Sequence, residues 1–223
     1  MELARPEYGV AIPGGYFRED GHIYRNQAGT IIPSATQVFE VLGCNDFGGA
    51  KQEDIEWKQS FGVAAHAAVE YLAANDLDWD TCDPAIIPAV TGIEQFFKQV
   101  DFEVEASEEI RIVSLHGMEY GMRLDLRGKL TYRGIRRNGV IDLKFGSKKS
   151  PTWNWQIAGA YTIPLPTVPG GWVACALQCD PEGFVDPHWF LDIPQAQREF
   201  QVLLAAAIIK INAGLWRKNG NSG

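Results

Sequence analysis

Apolar and polar positions alternate in three stretches near the middle of the chain, VEASEEIRIVSLH, YGMRLDLRGKLTYR and NGVIDLKF, and this period of two predicts strands that bury one face. The last two are separated by GIRRNG, a suitable hairpin connection, so a meander is expected. Helical spacing precedes them. Ile55, Phe61, Ala65, Ala68, Val69 and Leu72 recur at helical intervals over 52–75, predicting one long helix or a broken pair. A helix from about Pro84 to Val100 buries Ile87, Val90, Ile93, Phe96 and Phe97. Upstream, PSATQVFEVLG starts another, with Ser34 as N-cap and Gly43 near its end. The first thirty residues, YGVAIPGGYF and HIYRNQAGTIIP among them, are short aromatic and β-branched pieces divided by glycines, which reads as a small strand or hairpin. After the meander the chain turns at Ser150 and Pro151 into a helix carrying Trp153, Trp155, Gln156 and Tyr161, stopped by the prolines at 164, 166 and 169. Another hairpin, WVACALQCDPEGFVDPHWFL, precedes a last helix from about Pro194 to Trp216.

Helices, then a meander, a crossover helix and more strands make an α/β (α+β) architecture, with a central mixed β-sheet flanked by helices. With 223 residues and 46% hydrophobic content, the chain can bury one substantial core. It reads as a single domain over 1–223: an N-terminal hairpin and helix in 1–50, a helical part in 51–100, and a sheet core with a C-terminal helix in 101–223. No run approaches the roughly eighteen apolar residues that span a bilayer, and MELARPEYG lacks the apolar centre of a signal peptide. A soluble, cytoplasmic protein without a membrane partner is expected. Cys44, Cys82, Cys175 and Cys179 include no CxxC pair, so reduced thiols are expected. Cys175 and Cys179 fall on one strand, roughly 13 Å apart at about 3.3 Å per residue, too far for one small metal to bridge.

The net charge of −8 argues against a nucleic-acid partner until its distribution is considered. Residues 123–149 hold nine basic side chains (Arg123, Arg127, Lys129, Arg133, Arg136, Arg137, Lys144, Lys148, Lys149) against two acids, a local +7 that leaves −15 for the rest. A solvated hairpin that guards its edges with lysine and arginine would look similar. Here the two interrupting acids are Asp125 and Asp142, a pattern that suits a polyanion delivered to a metal.

In GVIDLKFGSKKSP, residues 139–151, Asp142 and Lys144 are two apart on an apolar strand and therefore share a face. An acid and an amine at the end of a buried strand are costly as structure, yet suited to holding a divalent metal and activating water beside it. The plainer account is an ion pair, although a buried pair gives little net stability. Seventeen residues upstream, GMRLDLRG supplies Asp125, which could instead balance Arg123 and Arg127. Alone, an acid-x-lysine triplet is weak evidence, since about one is expected by chance in a chain with 28 acids. Glu56-Trp57-Lys58 is such a decoy, in a helical stretch where i and i+2 do not share a face. Trp153 and Trp155 are expected to pack the crossover helix rather than stack on bases.

The ordered set His66, Asp125, Asp142, Lys144, Gln156 and Tyr161, with its acids on strands joined by a short hairpin, resembles the PD-(D/E)xK nuclease superfamily. The branch it resembles is the RecB-like one, which includes phage exonucleases and CRISPR-adaptation nucleases. IIPSATQVFEVLG is similar to the PS-x-T helix that opens many phage members, and FGVAAHAAVEYL to the G-x-x-x-H-x-x-x-E helix. GMRLDLRG and VIDLKFG resemble the two acid-bearing strands, and WQIAGAY the glutamine and tyrosine helix. The likeness covers most of the chain, including WVACALQCDPEGF, a helix with Phe200 and a closing Trp-Arg-Lys stretch.

The resemblance implies a restriction-endonuclease-like core with Mg²⁺ or Mn²⁺ held by Asp125, Asp142, the backbone carbonyl of Leu143 and His66. It implies that Lys144 orients or deprotonates the attacking water, and that Gln156 positions Lys144 or a phosphate. Tyr161 would contact the DNA backbone, joined by Arg123, Arg127, Lys148 and Lys149 from the basic run. Glu70, one turn after His66, would accept from its other ring nitrogen. The implied activity is that of a metal-dependent deoxyribonuclease, an exonuclease of phage-type recombination or DNA processing in a bacterium or infected host. Single- or double-stranded DNA is the partner, and a recombination or single-strand-binding partner and a homo-oligomer stay open. Two alternatives remain: a catalytically silent nucleic-acid-binding protein of the same fold, and a metal-dependent hydrolase of a small phosphorylated substrate. Two spacings depart from the family. Tyr161 follows Gln156 by five positions rather than four, and the glycine-to-acid interval in GMRLD is one longer than usual, pointing to a small bulge at Asp125. The iron–sulfur branch needs a late cysteine cluster, and after Tyr161 only Cys175 and Cys179 remain, so no iron–sulfur cluster is expected.

Overall fold

In a computed structural model that describes residues 8–44, 52–146 and 149–216, the chain opens with four short strands where one hairpin was expected. β1 (Val10–Ile12), β2 (Gly15–Arg18), β3 (Ile23–Asn26) and β4 (Ile31–Ile32) form an antiparallel sheet in sequence order. Gly14 and Gly21, at φ 89° and 76°, take turn conformations that other residues avoid, and the chain reverses before any strand exceeds four residues. α1 (Ala35–Leu42) begins at the expected cap. Ser34 Oγ accepts from the Gln37 N–H, the Gln37 side chain accepts from the Ser34 N–H, and Gly43 ends the helix at φ 74°. α2 (Gln52–Ala73) is one unbroken helix. A 3₁₀ turn (Trp79–Thr81) leads to α3 (Ile87–Gln99), which buries Val90, Ile93, Phe96 and Phe97, with Ile86 rather than Ile87 completing the stripe. Among the described residues no helix is long and apolar enough to cross a membrane.

The central sheet contains β5 (Glu103–Leu115), β6 (Met118–Tyr132), β7 (Ile135–Phe145), β8 (Trp172–Cys179) and β9 (Val185–Phe190), in that spatial order. All neighbours are antiparallel except β7 and β8. A parallel pair needs a crossover, and the segment between them supplies it through a π-helix (Asn154–Ala160). α4 (Ile193–Asn212) follows β9. Both faces of the sheet are covered, as a mixed sheet with apolar residues on both faces requires. On one face Val140, Ala174 and Ala176 pack with α1, the π-helix and α4, and on the other Ile141, Leu143, Val173, Cys175 and Leu177 pack with α2 and α3. The alanines of β8 leave room for the crossover helix to lie close.

Leu124 and Leu126 are two apart and ought to share a face, yet Leu124 joins the α1/α4 core and Leu126 the α2/α3 core. β6 pairs with β7 only as far as Leu126 opposite Ile141, then continues along β5 while β7 continues along β8. The sheet therefore forks, and Asp125 stands in the fork. Beyond it the edge of β6 is partly covered by the chain entering α1, where Gly121 N–H donates to the Pro33 carbonyl at 2.9 Å.

Candidate active site

A fork strands backbone groups that would otherwise be paired, and Asp125 takes one of them: its Oδ2 accepts from the Leu143 N–H at 2.7 Å. Asp142, next to Leu143 on β7, is 2% exposed. Its Oδ2 lies 2.5 Å from Lys144 Nζ, so it has a charge partner, and among the described residues no aligned hydrogen bond reaches that oxygen. The i, i+2 spacing thus puts acid and amine on one face, as the strand alternation predicts. Lys144 Nζ donates to Gln156 Oε1 at 3.2 Å, and Gln156 Nε2 donates to the Tyr161 hydroxyl at 2.6 Å. The π-helix makes that last contact possible. Its wider turn bonds Tyr161 N–H to the Gln156 carbonyl at 3.0 Å, an i to i+5 step, and so brings residues five apart onto one face.

His66 comes from α2, whose alanine-rich half lies against β7. Its Nδ1 is 3.7 Å from Asp125 Oδ2, and its ring meets Phe145 edge-on at 5.1 Å, with Phe61 behind Phe145 at 5.8 Å. His66, Asp125, Asp142, Lys144, Gln156 and Tyr161 border a cleft of about 190 Å³ that Tyr24, Ser34 and Arg123 also line. Gly121 lets Tyr24 form the roof, since a Cβ there would sit 2.1 Å from the ring.

Burial sets the charge states. It pushes the His66 pKa down to about 4, against the pull of Asp142 and with the help of Lys144 and Arg123, so the imidazole is neutral at pH 7 and free to ligate. Asp125 is driven well above the usual carboxylate range, first by burial and then by the charge of Asp142. Burial also raises Glu108, against its pairing with Arg123, and raises the Tyr161 hydroxyl. Carboxylates held this way are short of positive charge, which is the condition a divalent cation relieves. One ligand atom each from His66, Glu108 and Asp125 come within 4.8 Å of one another, a group able to hold a metal ion. A neutral imidazole with hard carboxylate oxygens fits Mg²⁺ or Mn²⁺ better than a thiophilic metal. The nearby Asp142 Oδ2, which has the Lys144 ammonium beside it but no aligned hydrogen bond, adds another hard oxygen to the cleft.

The remaining predicted residues are distributed as follows. Glu70 lines an adjoining hollow of about 330 Å³ with Glu19, Glu108 and Arg123, and among the described residues no hydrogen bond joins it to His66, whose Nδ1 faces Asp125. Tyr161 is 4% exposed, with its hydroxyl engaged by Gln156. Arg123 pairs with Glu108 and Glu19, and Arg127 with Glu105 and Glu109. Lys149 Nζ is 3.1 Å from Asp186, and Lys148 lies outside the described residues. Trp155 donates to Glu199 and Trp153 lies against His188, so both tryptophans pack as expected. Acids of β5 therefore neutralise much of what the linear sequence presents as a basic footprint. Glu108 is the residue that sequence reasoning missed. It sits among Glu105 and Glu109 in an alternating strand, where nothing in spacing marks it. The irregularity expected at Asp125 falls on β5 instead, as a register shift between Val104 and Ala106 and a left-handed Glu108 at φ 49°.

No family model matches the chain, and no curated protein matches it. Among solved structures it is similar to one named "Putative exonuclease" from Eubacterium rectale, at 11% identity over 81% of this chain and 74% of that one, with a TM-score of 0.39. It is also similar to SSO0001, at 14% identity over 78% of this chain and 83% of that one, with a TM-score of 0.32. At such TM-scores the likeness carries no weight for function.

Proposed function

We propose that the chain is a metal-dependent deoxyribonuclease of the PD-(D/E)xK type, an exonuclease acting in phage-type recombination or DNA processing. The observation that supports it is the connected row Asp142, Lys144, Gln156 and Tyr161 beside Asp125 at the sheet fork. A structural ion pair alone would not need Lys144 held from its far side by an amide that is itself held by a buried tyrosine. Asp125, Asp142, His66 and the Leu143 carbonyl would hold Mg²⁺ or Mn²⁺, which supplies Lewis acidity toward a phosphodiester and lowers the pKa of bound water. Asp142 keeps the Lys144 ammonium at the cleft, and Gln156 restrains its direction of approach. As an ammonium Lys144 can orient an attacking water, and only as the neutral amine, once its own proton has left, can it take the water's proton.

Labelled single- and double-stranded DNA incubated with Mg²⁺ or Mn²⁺ tests this. Cleavage is expected in the parent, with a fall of about 10²-fold or more in Asp142→Ala and Lys144→Ala. DNA binding without metal-dependent cleavage in the parent would instead leave a silent binding protein of the same fold. The pairing of Arg123, Arg127 and Lys149 with acids favours a second reading, a hydrolase of a small phosphorylated substrate, which needs no extended basic track.

A further inference from the structure

We propose that Glu108 of β5 is a further metal ligand, and that Arg123 holds this carboxylate in place in the absence of the metal. The inference rests on the metal-site reading above and extends it to a strand that the motif does not reach. Ser107 and Glu109 pair with Leu126 and Leu124, so Glu108 falls across from Asp125 in the ladder. Like charges placed opposite one another on neighbouring strands repel. Here one oxygen of each carboxylate and a ring nitrogen of His66 lie within 4.8 Å of one another. Glu108 takes a left-handed backbone, φ 49°, that a residue with a Cβ rarely adopts, and its side chain is 15% exposed.

Arg123 supplies one cation to this arrangement: its Nε donates to Glu108 Oε2, and its second nitrogen reaches Glu19. One guanidinium cannot answer all the acids present. Asp125 and Asp142 share the cleft with it, and Asp142 Oδ2, in a side chain 3% exposed, has the Lys144 ammonium at 2.5 Å but, among the described residues, no aligned hydrogen bond. His66 and Asp125 line both this cleft and the adjoining hollow that Glu108 borders, so a cation held between them would answer the carboxylates of both. Glu108 would help hold such a cation while its Oε2 keeps the Arg123 Nε. Arg123 is then a positioning residue: it aims Glu108 and is itself no ligand.

The test is Mn²⁺ binding to the full chain by titration calorimetry and by the electron paramagnetic resonance signal of the free ion, with circular dichroism to confirm folding. Glu108→Gln keeps the shape and removes the charge, and its Mn²⁺ dissociation constant is expected to rise at least about tenfold. Arg123→Gln is expected to show a smaller rise, about threefold, because the guanidinium aims Glu108 without being a ligand itself. Parent-like affinity in Glu108→Gln would overturn the proposal, as would a loss in Arg123→Gln equal to that in Glu108→Gln, which would make Glu108 only the partner of Arg123. Should Glu108→Gln fail to fold, the double variant Glu108→Gln/Arg123→Gln, which leaves no unpaired guanidinium, is read against Arg123→Gln by the same criterion. A parent that binds no Mn²⁺ overturns the nuclease reading as well, which sets that outcome apart from the others.

Discussion

The chemistry of single residues here is set by what burial does to charge. His66 is held neutral, and the sign of its effect on stability follows from its pKa of about 4 in the folded chain against 6.5 when exposed. Between those values the unfolded chain binds the extra proton and the folded one does not, so acidification through pH 6.5 toward 4 favours unfolding. Asp125 works in the opposite sense. Its folded pKa lies above 3.8, so its charge costs stability as pH rises through that folded value. In EDTA, with no metal to compete, His66→Gln should therefore show a smaller drop in Tm than the parent between pH 6.5 and 4.5. A difference of about 2 °C is expected, less than full burial would give because the His66 side chain is 33% exposed. Thermal melts followed by circular dichroism measure it. Parallel curves would mean that His66 titrates normally and has no special claim as a ligand.

At the scale of elements, the strands, the capped α1, the meander and the crossover were legible because each rests on local periodicity or cap chemistry. The Gln156 to Tyr161 interval is instructive. Five residues look like a misfit on an α-helix, but the chain there is π-helical, and the extra residue is absorbed within the turn while the two side chains still meet at 2.6 Å. The fork was not legible, because Leu124 and Leu126 obey the alternation that makes β6 a strand and only tertiary packing separates them. Glu108 was hidden for the same reason: its value lies in a partner fifteen to seventeen residues away and in a left-handed backbone that no spacing announces. Nor did the sequence show how the N-terminal sheet docks. That contact rests on Gly121, where an added methyl would meet the 1% exposed Tyr24 ring. Gly121→Ala should lose about 1–3 kcal/mol in urea denaturation, the usual cost of overpacking. In a Tyr24→Ala background the same methyl should cost far less, and additive losses would place the strain elsewhere.

For the molecule as a whole, charge must be read in three dimensions before it speaks about partners. The basic run at 123–149 was the sequence argument for a polyanion, yet Arg123, Arg127, Lys129, Arg136, Lys144 and Lys149 each lie within ion-pair reach of a carboxylate, most of them on β5 or just before it. Among the described residues Arg133 and Arg137 have no carboxylate that close, and Arg133 rests on the Tyr132 ring while Arg137 donates to the Gly170 carbonyl. A surface whose cations are already neutralised releases few counterions from DNA, because its arginines and lysines hold acids of their own. Nine free cations would give a slope of log affinity against log salt of about −6 to −8, whereas two or three give about −1.4 to −2.7. Fluorescence anisotropy of labelled DNA, titrated from 50 to 200 mM salt in EDTA so that no cleavage intervenes, should return the shallower slope. A slope of about −6 or steeper would mean that DNA displaces the β5 acids and opens the ion-pair ladder on binding. A flat response would remove DNA as the partner and leave the small phosphorylated substrate, for which the cleft at the fork is large enough and the basic run is only scaffolding.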